Sequence, residues 1–204
     1  NGFHLIDEGN FVSSAGDVNG DGYDDVIVGD VFSEYYFNDG GYSGNFVTTY
    51  ASYVVFGKAC GFDATLRASD LDGTNGFSIG IGPVVSAAGD VNGDGLDDLI
   101  VSSGGDGYVI FGKTSSFDAK LKVSDLDGKN GFRIKGNAIH VSNAGDFNGD
   151  GFDDLIVSSG GDGYVIFGKA SGFNATLNLS DLDGTNGFRL DGLESDYWKG
   201  SSVS

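Results

Sequence analysis

The sequence G-D-V-N-G-D-G-Y-D-D, at Gly16–Asp25, is the most informative part of this chain. It recurs as G-D-V-N-G-D-G-L-D-D at 89–98 and as G-D-F-N-G-D-G-F-D-D at 145–154. Counted from the first aspartate, oxygen-bearing side chains stand at positions 1, 3, 5 and 9, and glycine stands at positions 4 and 6. Glycine permits the positive φ angles that a tightly wound loop requires. The spacing therefore predicts three equivalent loops that each direct several oxygen atoms at one point.

An oxygen-only set of this kind is typical of a calcium loop, since Ca²⁺ takes roughly six to eight oxygen ligands. Three carboxylates held about 4 Å apart repel one another by roughly 1 kcal/mol per pair even in water, and a divalent cation removes that cost. Position 7 contributes its main-chain carbonyl, so its side chain is free to vary. We therefore predict three structural calcium sites, with the ligands Asp17, Asn19, Asp21, Tyr23 and Asp25; Asp90, Asn92, Asp94, Leu96 and Asp98; and Asp146, Asn148, Asp150, Phe152 and Asp154. The aspartates at position 8, Asp24, Asp97 and Asp153, are expected to point away from the ion.

The alternatives to a calcium loop are a polar turn and an EF-hand. Polar turns rich in Asp, Asn and Gly are common between strands and need no metal. They explain one copy better than three copies that each precede an apolar run, such as Val26-Ile27-Val28. An EF-hand is excluded because its loop has twelve residues, ends on a bidentate Glu and lies between helices.

Composition limits the possible partners. The 204 residues carry a net charge of −19, which argues against nucleic acid or an anionic membrane surface as a partner. No apolar run approaches the length of a membrane span, so membrane insertion is not expected. The single cysteine, Cys60, allows no internal disulfide, and serine occupies the equivalent position in the other units. With 37 glycines, one proline and 13% aromatic residues, the chain has the composition of a turn-rich β protein.

The whole sequence is repetitive. Asn-Gly-Phe starts at Asn1, Asn75, Asn130 and Asn186, and Phe-Gly-Lys follows the third apolar segment of each unit. Each unit is predicted to hold four short strands, the first leading into the acidic loop and the second leaving it. The first unit is longer because of an insertion at 31–51, which is predicted to be a loop rich in aromatic residues: Phe32, Tyr35, Tyr36, Phe37, Tyr42, Phe46 and Tyr50.

These motifs resemble the FG-GAP repeats of the integrin α-chain head, and the S-D-L-D-G-T/K-N-G-F connectors resemble those of bacterial integrin-like surface proteins. The resemblance implies an all-β fold, a β-propeller of about seven four-stranded antiparallel blades with calcium between the first and second strands of a blade. The "GAP" part departs from the family, because it reads Gly29-Asp30-Val31 in the first unit and Ser-Ser-Gly-Gly in the later ones. That departure weakens any inference about a ligand on the loop between strands two and three.

The repeats divide the chain into parts of one propeller. Residues 1–7 are predicted to be the outer strand of a preceding blade, and 8–80, with the insertion 31–51, the first blade. Residues 81–136 and 137–192 are predicted to be two further blades, and 193–204 the start of the next. About three and a half blades cannot close a ring, so further blades or another chain are expected to complete the fold.

The function predicted from these features is a calcium-binding extracellular or cell-surface propeller for adhesion to an unknown protein or glycan. A non-catalytic accessory domain of a secreted enzyme and a structural filament or surface-array component remain alternatives. No enzyme activity is expected, because the serines recur in every unit whereas neither histidine does. The connectors (69–76, 124–131 and 180–187) are predicted to be capped turns and not second metal sites. The insertion, with Tyr197, Trp198 and Lys199, is a candidate partner surface.

Overall fold

The computed structural model describes residues 4–6, 9–37 and 44–191, and within these ranges the chain is all-β. Its only helices there are three short 3-10 turns at Ala68–Asp70, Val123–Asp125 and Leu179–Asp181. None of the helices in these ranges has the length and apolar character needed to cross a membrane. The strands are β1 His4–Ile6, β2 Phe11–Gly16, β3 Asp25–Phe37, β4 Gly44–Val55, β5 Thr65–Arg67, β6 Gly76–Ile79, β7 Val84–Gly89, β8 Asp98–Ser103, β9 Asp106–Ile110, β10 Lys120–Leu121, β11 Gly131–Lys135, β12 Ala138–Gly145, β13 Asp154–Ser159, β14 Asp162–Ile166, β15 Thr176–Asn178 and β16 Gly187–Leu190.

The strands form three blade-like antiparallel sheets, as the sequence predicts. The first blade contains β2, β3, β4 and β6, the second contains β7, β8, β9 and β11, and the third contains β12, β13, β14 and β16. The first strands of neighbouring blades lie side by side, with β2 against β7 and β7 against β12. The blades therefore follow one another as in part of a propeller, and the described residues contain no closed ring.

Each of the first two blades also has a fifth strand, which the sequence analysis missed. It lies between the third and fourth strands of the following unit and pairs in parallel with the outer strand, as β10 does with β6 and β15 with β11. The pairing of β1 with β5 is of the same kind. These strands are only two or three residues long, so no alternation of polar and apolar residues could reveal them.

The insertion 31–51 is a hairpin, and the prediction of a loop is wrong. β3 and β4 continue into it, and their pairing runs without interruption from Val26 opposite Val55 to Phe37 opposite Gly44. Aromatic and β-branched residues dominate the insertion, and such residues favour strands. In the other blades the same connection is a two-residue turn, for example at Gly104 and Gly105, both with positive φ. Tyr42 and the segment 193–204, with Tyr197, Trp198 and Lys199, lie outside the described residues.

The core lies between blades. Leu99 and Val101 of β8 pack with residues of the first blade, whereas Ile100, between them in sequence, packs with residues of the third. Successive side chains of a strand point to opposite faces of the sheet, so the middle blade is buried on both of its faces. A phenylalanine that follows the third strand of the second blade extends this packing across the blade boundary, because Phe117 stacks on Phe77 of the first blade at a centroid distance of 4.4 Å.

Candidate metal-binding loops

Each acidic loop joins the first and second strands of its blade, so all three occupy equivalent places in the fold. Position 1 organises the loop through backbone hydrogen bonds. In the first loop, Asp17 Oδ1 accepts the N–H groups of Gly20 and Asp21 at 2.8 and 3.0 Å, and Oδ2 accepts that of Gly22 at 2.8 Å. Asp90 and Asp146 accept the same bonds in their loops. Positive φ at Gly20 and Gly22 makes this winding possible.

Positions 3 and 5 are linked to each other. The Asn19 amide oxygen accepts the Asp21 N–H at 2.9 Å, and its nitrogen donates to Asp21 Oδ2 at 3.2 Å. Asp21 Oδ1 in turn accepts the Tyr23 N–H at 3.0 Å. Equivalent bonds occur in the second and third loops. The three loops therefore have one conformation despite different residues at position 7.

The aspartate at position 9 is buried, and it accepts a hydrogen bond from the backbone N–H of the glycine in Phe-Gly. Asp25 Oδ2 accepts the Val18 N–H at 3.1 Å, and Oδ1 accepts the Gly57 N–H at 2.8 Å. Gly112 and Gly168 donate to Asp98 and Asp154 in the same way, each at 2.9 Å. Sequence reasoning missed this role. The only available signal was that every unit pairs one acidic loop with one Phe-Gly.

The buried carboxylates have raised pKa values. Burial raises the pKa of Asp25 to about 6 and that of Asp98 to about 8. Backbone N–H donors oppose both shifts, and the carboxylates at positions 1 and 5 add to them. Burial raises the pKa of Asp154 as well. Each loop therefore keeps a position 9 carboxylate that is costly to ionise, and a nearby cation would favour its charged form.

The donor chemistry of the loops fits a hard divalent cation, since positions 1, 3, 5 and 9 offer carboxylate and amide oxygens alone. A carboxylate has about four lone-pair sites, so the N–H bonds leave capacity for an ion. Within the described ranges, no three His, Cys, Asp or Glu side chains gather as a ready metal-binding group. The loops thus hold the predicted residues in one compact turn, with their oxygens bonded to amides.

The aspartate at position 8 of the second and third loops accepts a hydrogen bond from the preceding loop. Asp97 Oδ2 accepts the Asp17 N–H at 2.9 Å, and Asp153 Oδ2 accepts the Asp90 N–H at 2.8 Å. Both carboxylates thus point out of their own loops, and no sequence pattern indicates what they contact.

The connectors are capped turns, as the sequence predicts. Asp72 accepts hydrogen bonds from the Thr74 N–H and hydroxyl at 2.8 and 2.7 Å, and Asn75 Oδ1 accepts the Asp72 N–H. These bonds lower the pKa of Asp72, with the Thr74 hydroxyl contributing most. The same turn forms at Asp127 and Asp183. Each of these carboxylates acts within its own turn.

The fold and the loops together define a class, a repeat protein built from propeller-type blades with an acidic loop after each first strand. The family model of the FG-GAP repeat matches residues 82–115 and 140–172 of this chain. Those ranges cover acidic loops in the second and third blades, and the first blade has the same loop hydrogen bonds. No curated protein matches the chain significantly. FG-GAP repeats are typical of extracellular and surface proteins, and domains built from them are generally non-catalytic.

Proposed function

We propose that this chain is a calcium-stabilised propeller module that binds an extracellular protein or glycan and catalyses no reaction. The observation that carries the proposal is the identity of the three acidic loops, which share composition, hydrogen bonds and place in the blade. A feature repeated in every blade suits a structural element better than a unique active site.

In each loop, the residues at positions 1, 3, 5 and 9 would hold the ion, together with the main-chain carbonyl of position 7. Bound calcium supplies positive charge that offsets the mutual repulsion of the carboxylates. The chain's own residues connect the loop to the rest of the blade. Asp25 accepts the N–H of Val18 within the loop and the N–H of Gly57, which follows the third strand of the blade. A loop ordered by an ion would therefore also hold the end of that strand.

Thermal unfolding tests the calcium part of the proposal. Extracellular calcium modules bind with a dissociation constant of roughly 10⁻⁴ to 10⁻³ M. About 5 mM calcium would then stabilise the fold by about 1–2 kcal/mol per site. Three sites should raise the melting temperature by roughly 6–25 °C relative to EDTA, given the usual scaling for a chain of this size. Equal melting temperatures in EDTA and calcium would refute a structural role for the ion.

The variant Asp21→Ala, with the equivalent Asp94→Ala and Asp150→Ala, should reduce the calcium-dependent shift stepwise. Asp63→Ala is a suitable control, since Asp63 is an exposed carboxylate outside the loops. It removes the same charge without touching a proposed ligand. Retention of the full shift in the triple variant would show that calcium binds elsewhere.

The binding part of the proposal rests on the hairpin of the first blade. Phe32 and Tyr50 are 49% and 44% exposed, and they lie on opposite faces of the hairpin because Phe32 pairs with Thr49 and Val31 with Tyr50. Large exposed aromatic residues are frequent anchors of interfaces. The hairpin extends from the end of the blade opposite the acidic loops, so ion and partner would occupy different ends. Binding to a panel of immobilised matrix proteins and glycans tests this part of the proposal.

A further inference from the structure

The aspartate at position 8 of each acidic loop holds the preceding loop through a two-way contact. Asp97 accepts the Asp17 N–H at 2.9 Å through Oδ2, and its own N–H donates to the Asp17 carbonyl oxygen at 3.3 Å. Asp153 and Asp90 repeat the pair at 2.8 and 3.1 Å. Asp17 and Asp90 are the position 1 residues around which their loops are wound. Their backbones are therefore fixed by the following blade.

The chain makes room for this contact. A Cβ atom on Gly16 would collide with the Asp97 carboxylate, and one on Gly89 would collide with that of Asp153. The third equivalent glycine, Gly145, has no atom within 4 Å of the same point. At both described blade boundaries, a glycine with positive φ thus lies close to the position 8 carboxylate of the following loop.

Neighbouring residues strengthen the link between loops. The Lys113 N–H donates to the Val18 carbonyl and the Lys169 N–H to the Val91 carbonyl, both at 2.9 Å. A Cβ on Gly20 would lie 2.9 Å from Leu96 Cδ2, so the position 7 side chain of the second loop packs on the first loop. Positions 7 and 8 of one loop therefore both contact its predecessor.

We propose that Asp97 and Asp153 are positioning residues that couple cation binding between consecutive loops. The inference depends on the proposed calcium function. In the second loop, Asp97 lies between Leu96 and Asp98, which are both predicted ligands. An ion that orders this segment also orders the carboxylate that fixes Asp17. A loop whose first ligand is already fixed loses less freedom on binding, and this produces positive coupling.

The coupling links neighbouring loops and has an internal control. The third loop is coupled to the second and the second to the first, and each coupling acts equally in both senses. Asp24 holds position 8 of the first loop, and within the described ranges it makes no contact of this kind. Asp24→Ala therefore removes the same side chain as Asp97→Ala without breaking a link between loops.

The test needs a signal from the first loop alone. Tyr23 is the only tyrosine at position 7, since Leu96 and Phe152 stand there in the other loops. Tyrosine-sensitised luminescence of Tb³⁺, a calcium substitute, should therefore report occupancy of the first loop, and the part of the signal lost in Tyr23→Phe defines it. Calorimetry with Ca²⁺ alone counts the sites in parallel.

We expect Asp97→Ala to weaken Tb³⁺ binding to the first loop by about tenfold, within the usual range of coupling between sites, whereas Asp24→Ala leaves it unchanged. Asp97→Asn should restore most of the affinity, because its amide oxygen can accept the Asp17 N–H. Circular dichroism shows whether each variant is folded. If Asp97→Ala does not fold, the comparison uses Asp97→Asn instead. Equal first-loop affinity in Asp97→Ala and Asp24→Ala overturns the coupling. Absence of any Ca²⁺ binding by the parent chain instead overturns the proposed function.

Discussion

At the scale of single residues, the Phe-Gly glycine is a backbone donor that cannot carry a side chain. Gly112 donates its N–H to Asp98, and a Cβ at this position would lie 2.6 Å from the Asp97 carbonyl oxygen. The carbonyl belongs to the backbone of the acidic loop and cannot move away without disturbing it. The glycine thus places a donor where any other residue would push the loop apart.

Gly112→Ala is therefore expected to destabilise the protein by about 1–3 kcal/mol, the usual cost of forcing extra atoms into a packed site. Gly80→Ala is the matched control, because the nearest atom to its Cβ is Lys120 Cε at an ordinary 3.6 Å and its φ is not positive. Chemical denaturation in EDTA measures both variants without a contribution from metal. Equal stability of the two variants would contradict the role given to Gly112.

The connector turns belong to the scale of elements, and their carboxylates make stability depend on acid. Lys129 and Asn130 donate backbone N–H groups to Asp127 Oδ1, and the Lys129 bond is the largest cause of the lowered pKa of Asp127. A carboxylate whose pKa is lower in the folded state stabilises the fold above its unfolded pKa. That contribution is lost as the pH falls through the folded value.

The stability difference between the parent chain and Asp127→Asn should therefore be constant above about pH 5 and shrink below about pH 4, the ordinary range of the group. Urea unfolding at a series of pH values measures the difference. Asp118→Asn, at an exposed aspartate outside the turn, is the control. A difference that grows towards acid would have the wrong sign for the turn described.

The hairpin is the second element with a testable role. Replacing Val31–Ala51 by Gly-Gly-Asp joins Asp30 to Ser52 through the short turn of the other blades and keeps their bonds to Asn10 and Ile81. We expect folding and the calcium shift to be retained and partner binding to be abolished. A point variant, Phe32→Ser with Tyr50→Ser, serves as a milder version. Binding that survives both changes would exclude the hairpin.

Elements could be predicted from sequence where their signal is local and repeated. The acidic loops and four strands per blade follow from the spacing of Asp and Gly and from short apolar runs. The hairpin could not be recognised as an insertion of strands from its position alone, because an insertion between two predicted strands is usually a loop, although its residues favour strands. β10 and β15 were missed because their pairing partners lie in the preceding unit. Asp97 and Gly112 share this limitation, since their contacts join residues far apart in sequence.

At the scale of the whole molecule, one face of the first blade is open. Val26 is 41% exposed, whereas its equivalents Leu99 and Leu155 are fully buried against the preceding blade. Val12, on the neighbouring strand, is 78% exposed, and with Leu5 and Val28 these residues line an apolar groove. An apolar surface that is buried at the other blade boundaries is suited to the same kind of contact here.

We therefore expect residues 1–204 to self-associate at micromolar concentration, with the open face of the first blade against the third blade of a second copy. Val12→Lys with Val26→Lys should reduce the association, because it places two charges in an apolar contact. Sedimentation velocity over a range of concentrations measures both chains. A monomeric parent chain at all concentrations would show that the face stays open.

The parallel fifth strand gives this protein a particular order of assembly. During synthesis, the first blade lacks its outermost strand until Lys120 and Leu121 have been made, although its other strands end at Ile79. Every described blade boundary is thus closed by a segment that belongs to the next unit of sequence. The repeat that can be copied or deleted in the gene is not the unit that folds. Removing one repeat from the sequence would leave the outer strand of the preceding blade to pair with the equivalent segment of a later unit.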